Sequence, residues 1–282
     1  MLLKEDNYIG EPDYDNAVNE GKANYLRMLG IAKAYGIEIS DSHIIEIGCH
    51  LGAMCYSFSE AANCQITGTE YTGYKVSALD SNSSAPKLDK VSNNLANQRS
   101  VLGKRFRNAE KVTFIEDDIC NSTLPSDSYN LVISFDVLEH LHNPGQAFIH
   151  IKRILKKGGI AIHDYNPFFS LNGGHSLCTL DFPWGHCMLS KNDFERYIKE
   201  IRPEETEIAI TFYNGGLNRM THTGLEIYTK QSGLQFAGFI KYAKEQHVRM
   251  VNHEVLKQSQ ANYPDLTIAD LVTPKVVVIQ KK

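Results

Sequence analysis

Short apolar runs alternate with stretches of helical periodicity over residues 43–164, predicting strands at His43–Gly48, Gln65–Glu70, Val112–Asp117, Tyr129–Asp136 and Gly159–Asp164. Between the first two, Leu51, Met54, Cys55, Phe58, Ala61 and Ala62 recur at three- and four-residue spacing, which places all six on one helix face. Phe148, Ile151, Ile154 and Leu155 repeat that spacing before the fifth strand, with Lys156-Lys157-Gly158-Gly159 as the stop signal. Strands separated by helices imply right-handed crossovers and a mostly parallel sheet covered by helices on both faces. Ligands of such sheets bind at the carboxyl ends of the strands, so the residues just after each strand are where function is sought.

After Asp164 the periodicity stops. Residues 165–189 hold Phe168, Phe169, Phe182 and Trp184 among Gly173, Gly174, Gly185, His175 and His186, without regular spacing. Ser190 with Asp193 predicts a capped helix carrying Phe194, Tyr197, Ile198 and Ile201, and Thr223 with Glu226 predicts another that ends at Ser232-Gly233. The valine-rich run Lys275–Gln280 reads as a closing strand. The expected fold is α/β and Rossmann-like with an inserted substrate lid. Its expected parts are an N-terminal helical cap at 1–40, the core at 41–165, the lid at 166–222 over the strand ends, and a C-terminal part of the core at 223–282.

Composition narrows the function. The chain has 282 residues, 29 basic and 33 acidic, for a net charge of −4, which speaks against binding nucleic acid or an anionic membrane through bulk positive charge. No apolar run approaches the ~18 residues that span a bilayer, and the N-terminus turns polar too early for a signal peptide. Six cysteines lie scattered without a C-x-x-C pair, as suits thiols in a reducing compartment. The expected location is cytoplasmic, with no membrane partner.

Candidate chemistry begins at the first strand–helix turn, Glu46-Ile47-Gly48-Cys49-His50-Leu51-Gly52-Ala53. A glycine-bearing turn at a helix N-terminus is a nucleotide-site geometry. A dinucleotide would align Gly48, His50 and Ala53 with G-x-G-x-x-G/A, but His50 obstructs the approach of a pyrophosphate and Glu46 repels it. A nucleoside with a zwitterionic amino-acid tail suits both residues, because the tail's carboxylate meets amide N–H groups while Glu46 offsets its positive charge. Glu70, closing the second strand, can accept both hydroxyls of a ribose.

Glu46–Gly52 resembles the E/D-x-G-x-G-x-G signature of class I S-adenosylmethionine-dependent methyltransferases, with His50 replacing the middle glycine. Leu124-Pro125 running into Tyr129–Ser134 is similar to that family's "LP…FD.V" stretch, and Asp136-Val137-Leu138-Glu139-His140 with Leu155–Gly159 resembles the "EVLEHV…LKPGG" stretch of its ubiquinone-biosynthesis O-methyltransferase-like branch. The resemblance spans about residues 41–164. It implies S-adenosyl-L-methionine as cofactor, with Glu46, Gly48, His50 and Gly52 at its tail, Glu70 at the ribose and Tyr71 beside the adenine. Asp118, with Asp117 as the alternative, is expected at the adenine amine, Ile119 in backbone and apolar contact, and Phe135 among the cofactor contacts.

Methyl transfer from a sulfonium needs positioning and desolvation, and a hydroxyl acceptor also needs a base. Histidine suits that role at neutral pH. His140 is the first candidate, followed by His163 and His175. Asp136, Glu139 and His140 offer oxygen and nitrogen ligands to a divalent cation, yet no metal is expected. Asn166-Pro167-Phe168-Phe169 reads as a hinge into the lid, whose Phe168, Phe169, Trp184, His175, His186 and Asp181 are expected to wall a small acceptor. Residues 87–111 carry a net +5 through Lys87, Lys90, Arg99, Lys104, Arg105, Arg107 and Lys111, a solvated helix face or a guide for an acidic partner. The expected activity is O-methylation of a small metabolite or saccharide precursor. The alternatives are RNA methylation through the basic stretch and a non-catalytic protein that binds S-adenosylmethionine.

Overall fold

The computed structural model describes residues 12–62, 64–74 and 85–282. Seven strands, β1 (His43–Ile47), β2 (Gln65–Glu70), β3 (Val112–Glu116), β4 (Tyr129–Phe135), β5 (Leu155–Tyr165), β6 (Gln235–Tyr242) and β7 (Lys275–Lys281), form one sheet in the order β3-β2-β1-β4-β5-β7-β6. β1 to β5 are parallel, and β7 runs antiparallel to both of its neighbours. The longer helices are α1 (Tyr14–Ala34), α2 (Ala53–Ala62), α3 (Ala85–Gly103), α4 (Pro144–Ile154), α5 (Lys191–Ile201) and α6 (His222–Ser232). This is the expected mostly parallel Rossmann-like sheet with helices on both faces.

Alternation along each strand divides the core in two. Ile45, Val132, Ala161, Val276 and Val278 pack under α4 and α6 against Phe148, Ile151 and Leu225. Their strand neighbours Ile44, Leu131, Ile133, Ile162, Val277 and Ile279 face the other way, against Met28, Ala32, Met54 and Phe58 of α1 and α2. Both faces of the central strands are therefore apolar, as a doubly covered sheet requires. A third cluster joins Phe168, Phe169, Trp184, Phe194, Ile198 and Tyr213 of the inserted region to Val255, Leu266, Leu271 and Val272 near the C-terminus. All six cysteines are buried free thiols, and no helix among the described residues is long and apolar enough to cross a membrane.

Local chemistry accounts for the departures from expectation. α2 starts at Ala53, because Gly52 N–H donates to the Cys49 carbonyl at 2.7 Å and closes a turn first; Leu51 precedes the helix and Ala61 is exposed. β5 starts at Leu155, so Lys156–Gly159 extend the strand past an irregularity in its pairing with β4. The cap of α6 is Thr221, whose side chain accepts from Gly224 N–H at 3.0 Å, and Thr223 lies inside the first turn. Gly233 ends α6 at φ +77°, and Ser190 caps α5, as expected. The edge strand β6 lacked a clean apolar alternation and went unpredicted. Residues 1–11 of the predicted cap, and the side chains of Lys87 and Lys90, lie outside the described residues.

α1 crosses α2 at Gly21, where an added Cβ would lie 2.6 Å from the Ala53 backbone. Gly30, on the same helix, has open space around it. Gly21→Ala is expected to lower stability by about 1–3 kcal/mol through overpacking, whereas Gly30→Ala raises it by up to ~1 kcal/mol through helix propensity. Paired urea denaturation curves measure both changes.

Candidate functional site

The turn after β1 is held from three sides. Gly48, His50 and Gly52 have φ of +68°, +46° and +75°. Added Cβ atoms would meet Val137 Cγ2 at 2.5 Å from Gly48 and the Phe114 ring at 2.4 Å from Gly52, so both positions require glycine for space as well as conformation. Cys49 N–H donates to the Thr69 carbonyl at 2.9 Å, and His50 N–H donates to Glu70 Oε2 at 2.7 Å. From α3, Arg99 Nε donates to the His50 carbonyl at 2.7 Å, while its guanidinium lies 4.3 Å from the centre of the Phe114 ring. His50 thus occupies a left-handed position that favours glycine, and its backbone is fixed at both ends of the peptide.

Beside this turn lies a cavity of about 250 Å³ at the carboxyl ends of β1 to β4. Of the residues expected to hold the cofactor, Gly48, Glu70, Tyr71, Asp118 and Ile119 line it, as does the alternative Asp117. Asp118 accepts from Cys120 N–H at 2.9 Å and Asp117 from Thr123 N–H at 3.3 Å. Glu46, His50, Gly52 and Phe135 are not in the lining. Glu46 points inward and accepts from Cys55 Sγ at 2.9 Å, and burial pushes its carboxyl up to about 7. Gly52 packs on Phe114, and Phe135 packs toward the α1–α2 face.

The other end of the cavity is histidine-rich. His140 Nδ1 lies 2.7 Å from the Gly216 carbonyl and 2.7 Å from Tyr74 Oη, which itself donates to Gly216 O at 2.9 Å. A proton on Nδ1, donated to that carbonyl, leaves the Nε2 lone pair available. Burial, reinforced by His175, lowers His140 to about 4, so the ring is neutral at neutral pH. The ring centres of His140 and His175 are 5.1 Å apart. Glu139 Oε1 accepts from Asn166 N–H at 3.1 Å; burial, followed by the Asp136 charge, pushes this carboxyl up to about 8. Glu139, His140 and His175 bring one ligand atom each within 4.8 Å of one another, a set able to hold a divalent cation.

His163 is removed from the site. It is fully buried in the sheet, its Nδ1 is 2.7 Å from Ser134 Oγ, and burial lowers it to about 3. The aromatic wall expected of the lid is likewise internal. Phe168, Phe169 and Trp184 are each 1% exposed, and the indole N–H donates to the Leu271 carbonyl at 3.0 Å. His186 bonds the Phe168 carbonyl, and Asp181 accepts from Tyr197 Oη. What the inserted region gives is contact with His140, through the Gly216 carbonyl and the His175 ring, neither of which lines the cavity.

The family model for a methyltransferase domain matches residues 21–235. The chain belongs to the methyltransferase-domain family. The match agrees with the expected class I methyltransferase that takes S-adenosylmethionine as its donor. An S-adenosylmethionine-dependent methyltransferase from Mesorhizobium loti superposes with a TM-score of 0.52 at 12% identity, covering 90% of this chain and 96% of that one. A Galdieria sulphuraria protein provisionally named a sarcosine dimethylglycine methyltransferase gives 0.53 at 10% identity, covering 92% and 85%. At these identities the likeness is one of fold. Over 193 residues the methyltransferase is 25% identical to the polyketide synthase-nonribosomal peptide synthetase pyiS of Pyricularia grisea, spanning 65% of this chain and 4% of that protein.

Three contributors to the site escaped the sequence reading. Arg99 was one charge in a basic run, and the Gly216 carbonyl carries no side-chain signal. Tyr74 sits four residues past β2, without a motif. The buried Glu46 gives a pH signature. Because its folded pKa is raised, the stability it allows is complete below its ordinary carboxylate pKa and is lost as pH rises through about 7. Glu46→Gln is expected to leave the melting temperature unchanged near pH 4.5 and to stabilise the methyltransferase increasingly above it, reaching about 3 kcal/mol by pH 8. Thermal melts of both proteins across this range measure the difference.

Proposed function

We propose that the enzyme methylates an oxygen of a small, uncharged metabolite or saccharide precursor, with the nucleoside of the donor at the β2 and β3 tips and the acceptor at the His140 end. The observation that supports this is the charge of the cavity. Among the described residues, its lining holds the carboxylates of Glu70, Asp117, Asp118 and Asp136 and no lysine or arginine. Such walls attract a sulfonium and repel a diphosphate. Glu70 receives the ribose, Tyr71 and Ile119 flank the base, and Asp118 accepts from its amine. His140, as neutral imidazole, takes the acceptor's proton through Nε2 as the hydroxyl oxygen attacks the methyl carbon.

RNA as the acceptor has less support. Of the basic residues in 87–111, Arg99 is turned inward onto the cofactor turn, Arg105 pairs with Asp15 and Arg107 with Glu60. A second reading of the histidine end is favoured by Glu139 Oε2 and His175 Nε2, buried atoms that lack a hydrogen-bond partner among the described residues. There a divalent cation would hold the acceptor oxygen.

Calorimetry with S-adenosylhomocysteine beside NAD⁺ tests the placement of the donor. Only the former is expected to bind, and Glu70→Ala to abolish it; tighter binding of NAD⁺ defeats the reading. With neutral sugars and small phenols as acceptors, His140→Gln is expected to lower kcat by about 10²–10⁴-fold with S-adenosylhomocysteine affinity preserved. Turnover that survives EDTA rules out the cation, and turnover restored by adding a divalent ion back supports it.

A further inference from the structure

Asp136 stands just past β4 with φ +49°, a conformation that a non-glycine residue keeps only when its surroundings impose it. The surroundings are visible. Asn166 Nδ2 donates to Asp136 Oδ1 at 2.7 Å and Lys275 Nζ donates to the same oxygen at 2.9 Å. Lys275 is itself anchored by Asp164 Oδ1 at 2.6 Å, and the other oxygen of this fully buried Asp164 pairs with Arg27 at 2.5 Å. Both donors to Asp136 fall on one oxygen, and the side chain is still 50% exposed where it lines the cavity. A carboxylate oriented on one side and open on the other is built to meet a ligand.

We propose that Asp136 is the residue by which the site distinguishes its charged methyl donor from the neutral product. The inference rests on the donor orientation given above. With the ribose at Glu70 on β2, the sulfur, one methylene away, lies toward β1 and β4, the next strands along the sheet edge at a spacing of about 4.8 Å. The other three acids are committed to the nucleoside end. Glu70 accepts from His50 N–H, Asp117 from Thr123 N–H and Asp118 from Cys120 N–H. Among the described residues Asp136 is thus the lining carboxylate nearest the transfer end, beside Val137, whose Cγ2 lies 2.5 Å from where a Cβ on Gly48 would stand.

During transfer the acceptor oxygen forms a bond to the methyl carbon as the carbon–sulfur bond breaks. The bonding pair returns to sulfur, the acceptor's proton passes to His140, and the sulfonium becomes an uncharged thioether. Asp136 then faces a neutral atom, its Coulombic attraction is gone, and the product leaves more readily than the donor would.

Calorimetry on the full chain tests this with three ligands: S-adenosylmethionine, its analogue carrying an ammonium in place of the methylsulfonium, and S-adenosylhomocysteine. Asp136→Asn is expected to weaken both cationic ligands about tenfold, or about 1.4 kcal/mol, and to leave S-adenosylhomocysteine within about twofold. Asp118→Asn should weaken all three alike. Asp136→Gly provides a second variant whose fold is secure, because glycine accepts the positive φ without strain, and it should reproduce the selective loss. Equal weakening of the three ligands by the Asp136 variants, or no weakening, overturns the proposal. Failure of the unmodified enzyme to bind any of the three would instead refute the donor orientation on which it rests.

Discussion

A single carboxylate without exposed surface ties the two ends of the chain to the middle of the sheet. Asp164, at the tip of β5, takes Lys275 from the first residue of β7 and Arg27 from α1. A buried carboxylate left alone costs several kcal/mol, and the two cations paired with it offset that cost. Burial raises the Asp164 pKa while Lys275 and then Arg27 pull it back. This pairing fixes where α1 lies on the sheet and where β7 begins. Through Lys275 it also fixes Asp136, and with it one wall of the cavity.

The architecture of the cavity follows from topology as much as from side chains. Parallel crossovers deliver the ends of β1 to β4 to one edge, so residues far apart in sequence meet around the cavity. At the β2 and β3 tips the cavity is lined by acids whose oxygens are oriented by backbone N–H groups. The histidine end is completed from outside the sheet, by the Gly216 carbonyl and by His175. That second half depends on the apolar cluster shared by the inserted region and residues 251–272, which holds the insertion against the sheet edge while its aromatic residues stay inside.

Much of the core was legible because its signals are local. β1 to β4 lie within a residue of their expected bounds, since short apolar runs and the following helices leave short-range patterns in Ile44–Ile47, Ile66–Glu70 and Leu131–Phe135. The placement of β7 between β5 and β6 was not legible, because strand order is a long-range property and β6 is a half-exposed edge. The same division runs through the site. Gly48, Glu70, Tyr71, Asp118 and His140 follow directly from strand ends. Glu46 lies inside β1 and points into the core, and His163 belongs to a central strand whose side chains are buried on both faces. Arg99 acts through a main-chain carbonyl 49 residues away, a contact no spacing rule encodes. The lid aromatics were assigned to the acceptor because they cluster in sequence; in space they form a core of their own.

Five of the buried thiols give the enzyme an internal clock. Burial pushes Cys64 and Cys120 up to about 11 and Cys178 up to about 12, and Cys55 and Cys187 also shift upward. Alkylating reagents attack the thiolate, so these five thiols are nearly inert in the closed protein and each modification of them records an opening. Cys55 and Cys64 report the neighbourhood of α2, while Cys178 and Cys187 report the inserted region. A pulse of reagent followed by peptide mapping therefore resolves whether the inserted region loosens independently of the sheet, with no engineered label.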